Sequence, residues 1–126
     1  MREIRFHGKD IKGNWYYGLL CKPTVGKYAG MTFISNGGGM PMAFDVRPET
    51  VGQYTGLKDK NGREIYEGDV YEQIWEGETI RGEIEYGGMA RFWIKATANY
   101  LIGEIKSATG QVIGNVWENP ELKEVE

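Results

Sequence analysis

The sequence predicts a strand-dominated domain, a small β-barrel or sandwich with little helix. Three observations predict it. Apolar residues alternate with period two in short runs, glycine-rich turn signals separate those runs, and a single stretch has room for a helix of a few turns. Nineteen glycines in 126 residues are well above the average of about 7%, and they suit a chain that turns often.

The clearest strand is 79–86. Ile80, Gly82, Ile84 and Tyr86 fall on one face, and Thr79, Arg81, Glu83 and Glu85 fall on the other, as in a half-buried antiparallel strand. Gly87 and Gly88 then break the run, and 90–95 repeats the alternation, so the two form a hairpin. Further strands are expected at 3–6, 14–21, 31–35, 50–54, 69–75 and 111–117, where Ile, Val, Thr, Tyr, Phe and Trp are frequent. The stretch 96–107 is the helix candidate, weakened by Gly103. Gly37-Gly38-Gly39 reads as a connector, and Asp59-Lys60-Asn61-Gly62 as a tight turn with positive φ at Asn-Gly. The expected organisation is an N-terminal β arm with its connector at 1–49, a barrel at 50–120 and an acidic tail at 121–126, folded as one compact unit.

Hydrophobic and charged shares of 40% and 26% are those of an ordinary folded protein. One cysteine, Cys21, rules out an internal disulfide and suits a reducing compartment. The opening residues lack the apolar stretch of a signal peptide, and no later run is long enough to cross a bilayer as a helix. A cytoplasmic protein is expected, without a membrane partner. The net charge of −3 argues against nonspecific binding to a phosphate backbone. Charge is unevenly placed: residues 1–60 hold nine basic and five acidic side chains, residues 61–126 six and thirteen.

From Thr50 the chain reads Thr50-Val51-Gly52-Gln53-Tyr54-Thr55-Gly56-Leu57-Lys58-Asp59-Lys60-Asn61-Gly62, and then Ile65-Tyr66-Glu67-Gly68-Asp69-Val70. This run resembles the signature of the YopX family. The opening Ile4-Arg5-Phe6-His7-Gly8, with Gly13-Asn14-Trp15 and Tyr17-Gly18, is similar to the family's start. Val112-Ile113-Gly114-Asn115-Val116 and Glu118-Asn119-Pro120-Glu121-Leu122 are similar to its end. The departures lie at 22–48 and 87–108, and at His7, where the family usually has arginine. The resemblance implies a phage- or prophage-encoded protein whose C-terminal portion is an SH3-like barrel. It implies no catalytic residues, because the family has no established activity.

The candidate chemistry is sparse. Asp59-Lys60-Asn61-Gly62 resembles a calcium loop, but the two further acidic positions that loop needs are Leu57 and Gly68. Neither glycine cluster continues into a phosphate-binding motif. His7 and Cys21 are single residues of their kinds, too few for a His/Cys metal site. A hairpin near Gly13 would pair His7 close to Asn14 and away from Cys21, against a nucleophilic pair. Glu64, Glu67, Asp69, Glu72, Glu76 and Glu78 form the one carboxylate set suited to a metal-dependent nuclease, yet alternation separates Asp69 from Glu72. The residues therefore point to no catalytic site, no metal and no cofactor. Asp69, just after Gly68 at a strand entry, is expected to accept backbone N–H bonds.

Aromatic residues mark the candidate partner surface. Trp93 shares a strand face with Arg91 and Lys95, and Tyr71 shares one with Trp75. Such groups anchor a protein partner or stack on a base. The expected function is a noncatalytic scaffold or interaction domain, self-associating as a symmetric homo-oligomer or binding a phage or host protein. The alternative is a nucleic-acid-associated protein using Arg91, Trp93 and Lys95.

Overall fold

The computed structural model describes residues 4–36, 43–87, 91–96 and 102–123. It is mostly β: eleven strands are described, with two short 3-10 turns and no α-helix among those residues. The strands make two antiparallel sheets, and the chain divides into two compact units, Met1–Tyr54 and Thr55–Glu126.

The first unit starts with a hairpin of β1 (Phe6–Lys9) and β2 (Trp15–Cys21), in register with His7 opposite Tyr17. Its turn is built by Asp10. The carboxylate accepts the backbone N–H groups of Lys12 and Asn14, each at 2.9 Å, and Gly13 supplies a φ of 91°. The other strands are β3 (Phe33–Ser35), β4 (Ala43–Asp45) and the start of β5 (Gly52–Lys58), in the order β4-β3-β2-β1-β5. Phe33, Ile34, Val46 and Tyr54 are buried here. Buried Thr50 closes a 3-10 turn that begins at Pro48: its hydroxyl donates to the Arg47 carbonyl at 2.6 Å and accepts the Lys9 N–H at 2.8 Å.

The second unit holds the end of β5 with β6 (Glu64–Tyr66), followed by a meander. This comprises β7 (Asp69–Trp75), β8 (Glu78–Gly87), β9 (Arg91–Ala96) and the two-residue β10 (Ile102–Gly103). Strand β11 (Gln111–Asn115) returns to pair with β7, giving the order β10-β9-β8-β7-β11. Ile65, Tyr71, Ile84, Phe92, Ile94 and Val112 form the core of this unit, with Ile80 and Ile105 packed on it. Burying such side chains stabilises the fold by about 1.5–3 kcal/mol each.

The expected strand at 69–75 and the hairpin of 79–86 with 90–95 are found nearly residue for residue. Several expectations need correction. The first strand runs three residues later than 3–6, because Gly8 and Lys9 complete the ladder opposite Tyr16 and Trp15. No helix occupies the described part of 96–107: Ala96 ends β9, and Ile102 and Gly103 pair with Lys95 and Ile94. A closed barrel over 50–120 is not formed by the described strands. The ladder ends at β10 and β11, and closure needs a continuous ladder around the ring. At the 59–62 turn Gly62 alone has positive φ. The connector at 37–39 and the tail residues 124–126 lie outside the described residues.

Candidate functional site

Tyr71 is a core residue of the second unit, fully buried, and its hydroxyl donates to the Lys106 carbonyl at 3.0 Å. Burial, with the nearby Asp59 charge, pushes its phenol up to about 12. The face of β7 expected to meet a partner at Tyr71 is thus the face that meets the core. Trp75, Arg91 and Trp93 are placed by their backbone in β7 and β9, and their side chains fall outside the described residues. Lys95 is exposed, with its ammonium 4.0 Å from the Glu85 carboxylate, and Arg81 makes a closer pair with Glu72 at 2.8 Å. These two basic groups therefore stand beside carboxylates, which dilutes any field attracting a phosphate.

The carboxylates that sequence reading singled out are used locally. Asp69 is buried, and its Oδ2 accepts the Tyr66 N–H at 2.8 Å across the Gly68 turn, where φ is 93°. Burial raises its carboxyl to about 7 against the opposing effects of that hydrogen bond and of the Arg63 charge. Asp59 is buried too, but it collects three backbone donors. Oδ1 accepts from Asn61 and Arg63, and Oδ2 accepts from Val112, all at 2.9 Å. Burial pushes this carboxyl up, and the bonds from Val112, Arg63 and Asn61 more than offset it, so it sits below its ordinary value. Among the described residues no three His, Cys, Asp or Glu side chains gather as metal ligands.

His7 is buried and stacks on Trp15, with ring centroids 4.6 Å apart. Its strand partner is Tyr17, four residues from Cys21 along β2, or about 13 Å at the rise of an extended strand. The structure does not bring His7 and Cys21 together as a nucleophilic pair.

The surface feature that sequence reading missed lies in the first unit. Ile4, Arg5, Tyr17, Gly18, Leu19, Ser35 and Asn36 line an open hollow of about 230 Å³. Ile4, Tyr17 and Leu19 are large apolar residues exposed around it. Gly18 lets β2 and β3 approach closely beside it, since a Cβ there would run into the Ser35 carbonyl. The signal was present in the alternation of β2, where Tyr17 and Leu19 share a face, but not in which face lacks a cover.

No curated protein matches this chain. The family model described as YopX protein matches residues 8–124. Among solved structures, the crystal structure of protein EF1440 from Enterococcus faecalis is similar, with a TM-score of 0.58 and 22% sequence identity. That likeness covers 98% of this chain and 100% of that one, and speaks to the fold alone.

Proposed function

This chain belongs to the YopX family, and we propose that it is a phage-type accessory protein that works without catalysis, as a self-assembling scaffold or protein-interaction domain. The observation that carries this reading is the exposed apolar hollow at Ile4, Tyr17 and Leu19 in a chain of divided charge. Residues 1–54 hold seven basic and four acidic side chains, and residues 55–126 hold eight and fourteen. Opposite net charges on the two units steer copies toward each other, and apolar contact then holds them. The meander β7-β8-β9 with β11 returning to β7 is read as an open relative of the SH3-like barrel. The working compartment is the cytoplasm, that of the host cell for a phage-encoded protein.

The nucleic-acid reading is less favoured, because Arg81 and Lys95 stand beside Glu72 and Glu85. Light scattering at micromolar concentration, in low and moderate salt, tests self-assembly. A defined mass above one subunit is expected, and a monomer in both salts would overturn that reading. Binding to single-stranded DNA that weakens steeply with salt would instead favour the nucleic-acid reading.

A further inference from the structure

We propose that the hollow of one copy receives the β7–β8 hairpin tip of the next, joining copies head to tail. This rests on the self-assembly reading above and names its contact surfaces.

The hollow is built for an apolar anchor. Ile4, Tyr17 and Leu19 are 62%, 51% and 56% exposed, an apolar patch on the order of a few hundred Å², the size at which exposed patches mark interaction sites. At about 230 Å³ the hollow is smaller than the roughly 300–1,000 Å³ of small-molecule pockets, and it suits a single side chain better than a ligand. Arg5 stands at its wall, in the unit with basic excess.

The occupant is chosen by charge and shape. Among the described residues of the second unit three large apolar side chains are exposed: Leu57, Ile74 and Tyr86. Tyr86 already packs edge-on against Phe92, with centroids 5.0 Å apart, and Leu57 lies near the end of β5. Ile74, 46% exposed, lies at the end of a hairpin where Glu76, Gly77, Glu78 and Thr79 are all exposed. The tip thus carries an exposed aliphatic side chain and two exposed carboxylates, Glu76 and Glu78, complementary in character to an apolar hollow with an arginine at its wall. It is also preorganised. Trp75 pairs with Glu78, leaving Glu76 and Gly77 as a two-residue turn with φ of 49° and 82°. A rigid turn loses little entropy on docking. Hollow and tip are different surfaces, so the contact is heterologous, and copies joined this way close into a ring when the rotation permits.

Leu19→Glu and Ile74→Glu test it by sedimentation velocity. Both positions are largely exposed, so each variant should keep the wild-type unfolding midpoint within a few degrees. Should either misfold, Leu19→Ser and Ile74→Ser take their places. Each variant alone should run as a monomer where the wild type is assembled. Mixed in equal amounts they should form a one-to-one pair, because the Ile74→Glu chain keeps an intact hollow and the Leu19→Glu chain an intact tip. Both variants assembled as the wild type is would overturn the hollow–tip contact while leaving self-assembly standing. Loss of assembly in Leu19→Glu alone would also overturn it, pointing to a contact of hollow on hollow. A monomeric wild type would remove the self-assembly reading and this contact with it.

Discussion

Gln73 and Lys106 are joined through the carboxamide of Gln73, whose Oε1 accepts the Lys106 N–H at 2.6 Å while Nε2 donates to the Glu104 carbonyl at 2.7 Å. Gln73 is 1% exposed. Its side chain does for residues 104 and 106 what a neighbouring strand would do, pairing with one backbone carbonyl and one backbone N–H. Tyr71, two residues earlier on β7, completes the clamp at the Lys106 carbonyl.

Replacing Gln73 by Leu should therefore destabilise the second unit although it adds apolar surface. It removes the two hydrogen bonds that Gln73 makes to the backbone of the 104–106 segment, at about 1–3 kcal/mol each. The measurement is the denaturant midpoint. Hydrogen exchange should quicken at the Lys106 amide before it does at Ile84 or Ile94, and a variant as stable as the wild type would remove Gln73 from this role.

Asp59→Ala removes three backbone acceptances together, and one of them ties the 59–62 turn to the start of β11 at Val112. A loss of about 3 kcal/mol is expected in the unfolding free energy. The sign with pH follows from its lowered value. Asp59 contributes stability above the unfolded carboxylate value near 4, and that contribution is lost as pH falls through its lower folded value. The variant should show a shallower acid limb in chemical denaturation.

The strand at 69–75 was legible because seven residues give the period-two pattern room to repeat. Strands β4, β6 and β10 were not, since two or three residues show no period. Alternation also says which residues share a face, not which face is covered. Tyr71 shares its face with polar Gln73, whereas Val70 and Ile74 lie opposite, so hydrophobicity alone does not tell which positions are covered. The structure buries both Tyr71 and Val70 and leaves Ile74 exposed. Asp69 was read correctly as a backbone acceptor, because its partner Tyr66 is three residues away. The Asp59 bond to Val112 spans 53 residues, a distance at which turn chemistry carries no information.

Asp69 should give the opposite pH dependence to Asp59. Its carboxyl is raised to about 7 in the fold from an ordinary value of 3.8. The folded state therefore binds more protons than the unfolded state between these values, and stability falls as pH rises from about 4 to 7. Asp69→Asn keeps an acceptor for the Tyr66 N–H and cannot ionise. It should gain on the wild type over that interval by a few kcal/mol at most, with the gain level above pH 8. Asp69→Ala loses the acceptor and should cost about 1 kcal/mol near pH 5. Urea denaturation at pH 4.5, 6 and 7.5 checks both variants, and parallel wild-type and Asn profiles would show that Asp69 ionises at its ordinary value.

Glu76 is the one described residue other than glycine with positive φ, at 49°, and with Gly77 at 82° it forms the two-residue turn between β7 and β8. A turn with both central residues in this region matches the twist of the flanking strands and favours Asn-Gly. Left-handed backbone costs an L-residue with a Cβ roughly 1–2 kcal/mol, and asparagine bears it more easily because its short side chain bonds locally. Glu76→Asn should thus raise the unfolding free energy by about 0.5–1 kcal/mol, and β-branched Glu76→Val should lower it by a similar amount. Comparing both in a Leu19→Glu background keeps subunit association from adding to the measured stability. Equal stability of the Asn and Val variants would show that the tip does not hold this turn in solution. The order Asn above wild type above Val would establish Glu76-Gly77 as the rigid end that presents Ile74.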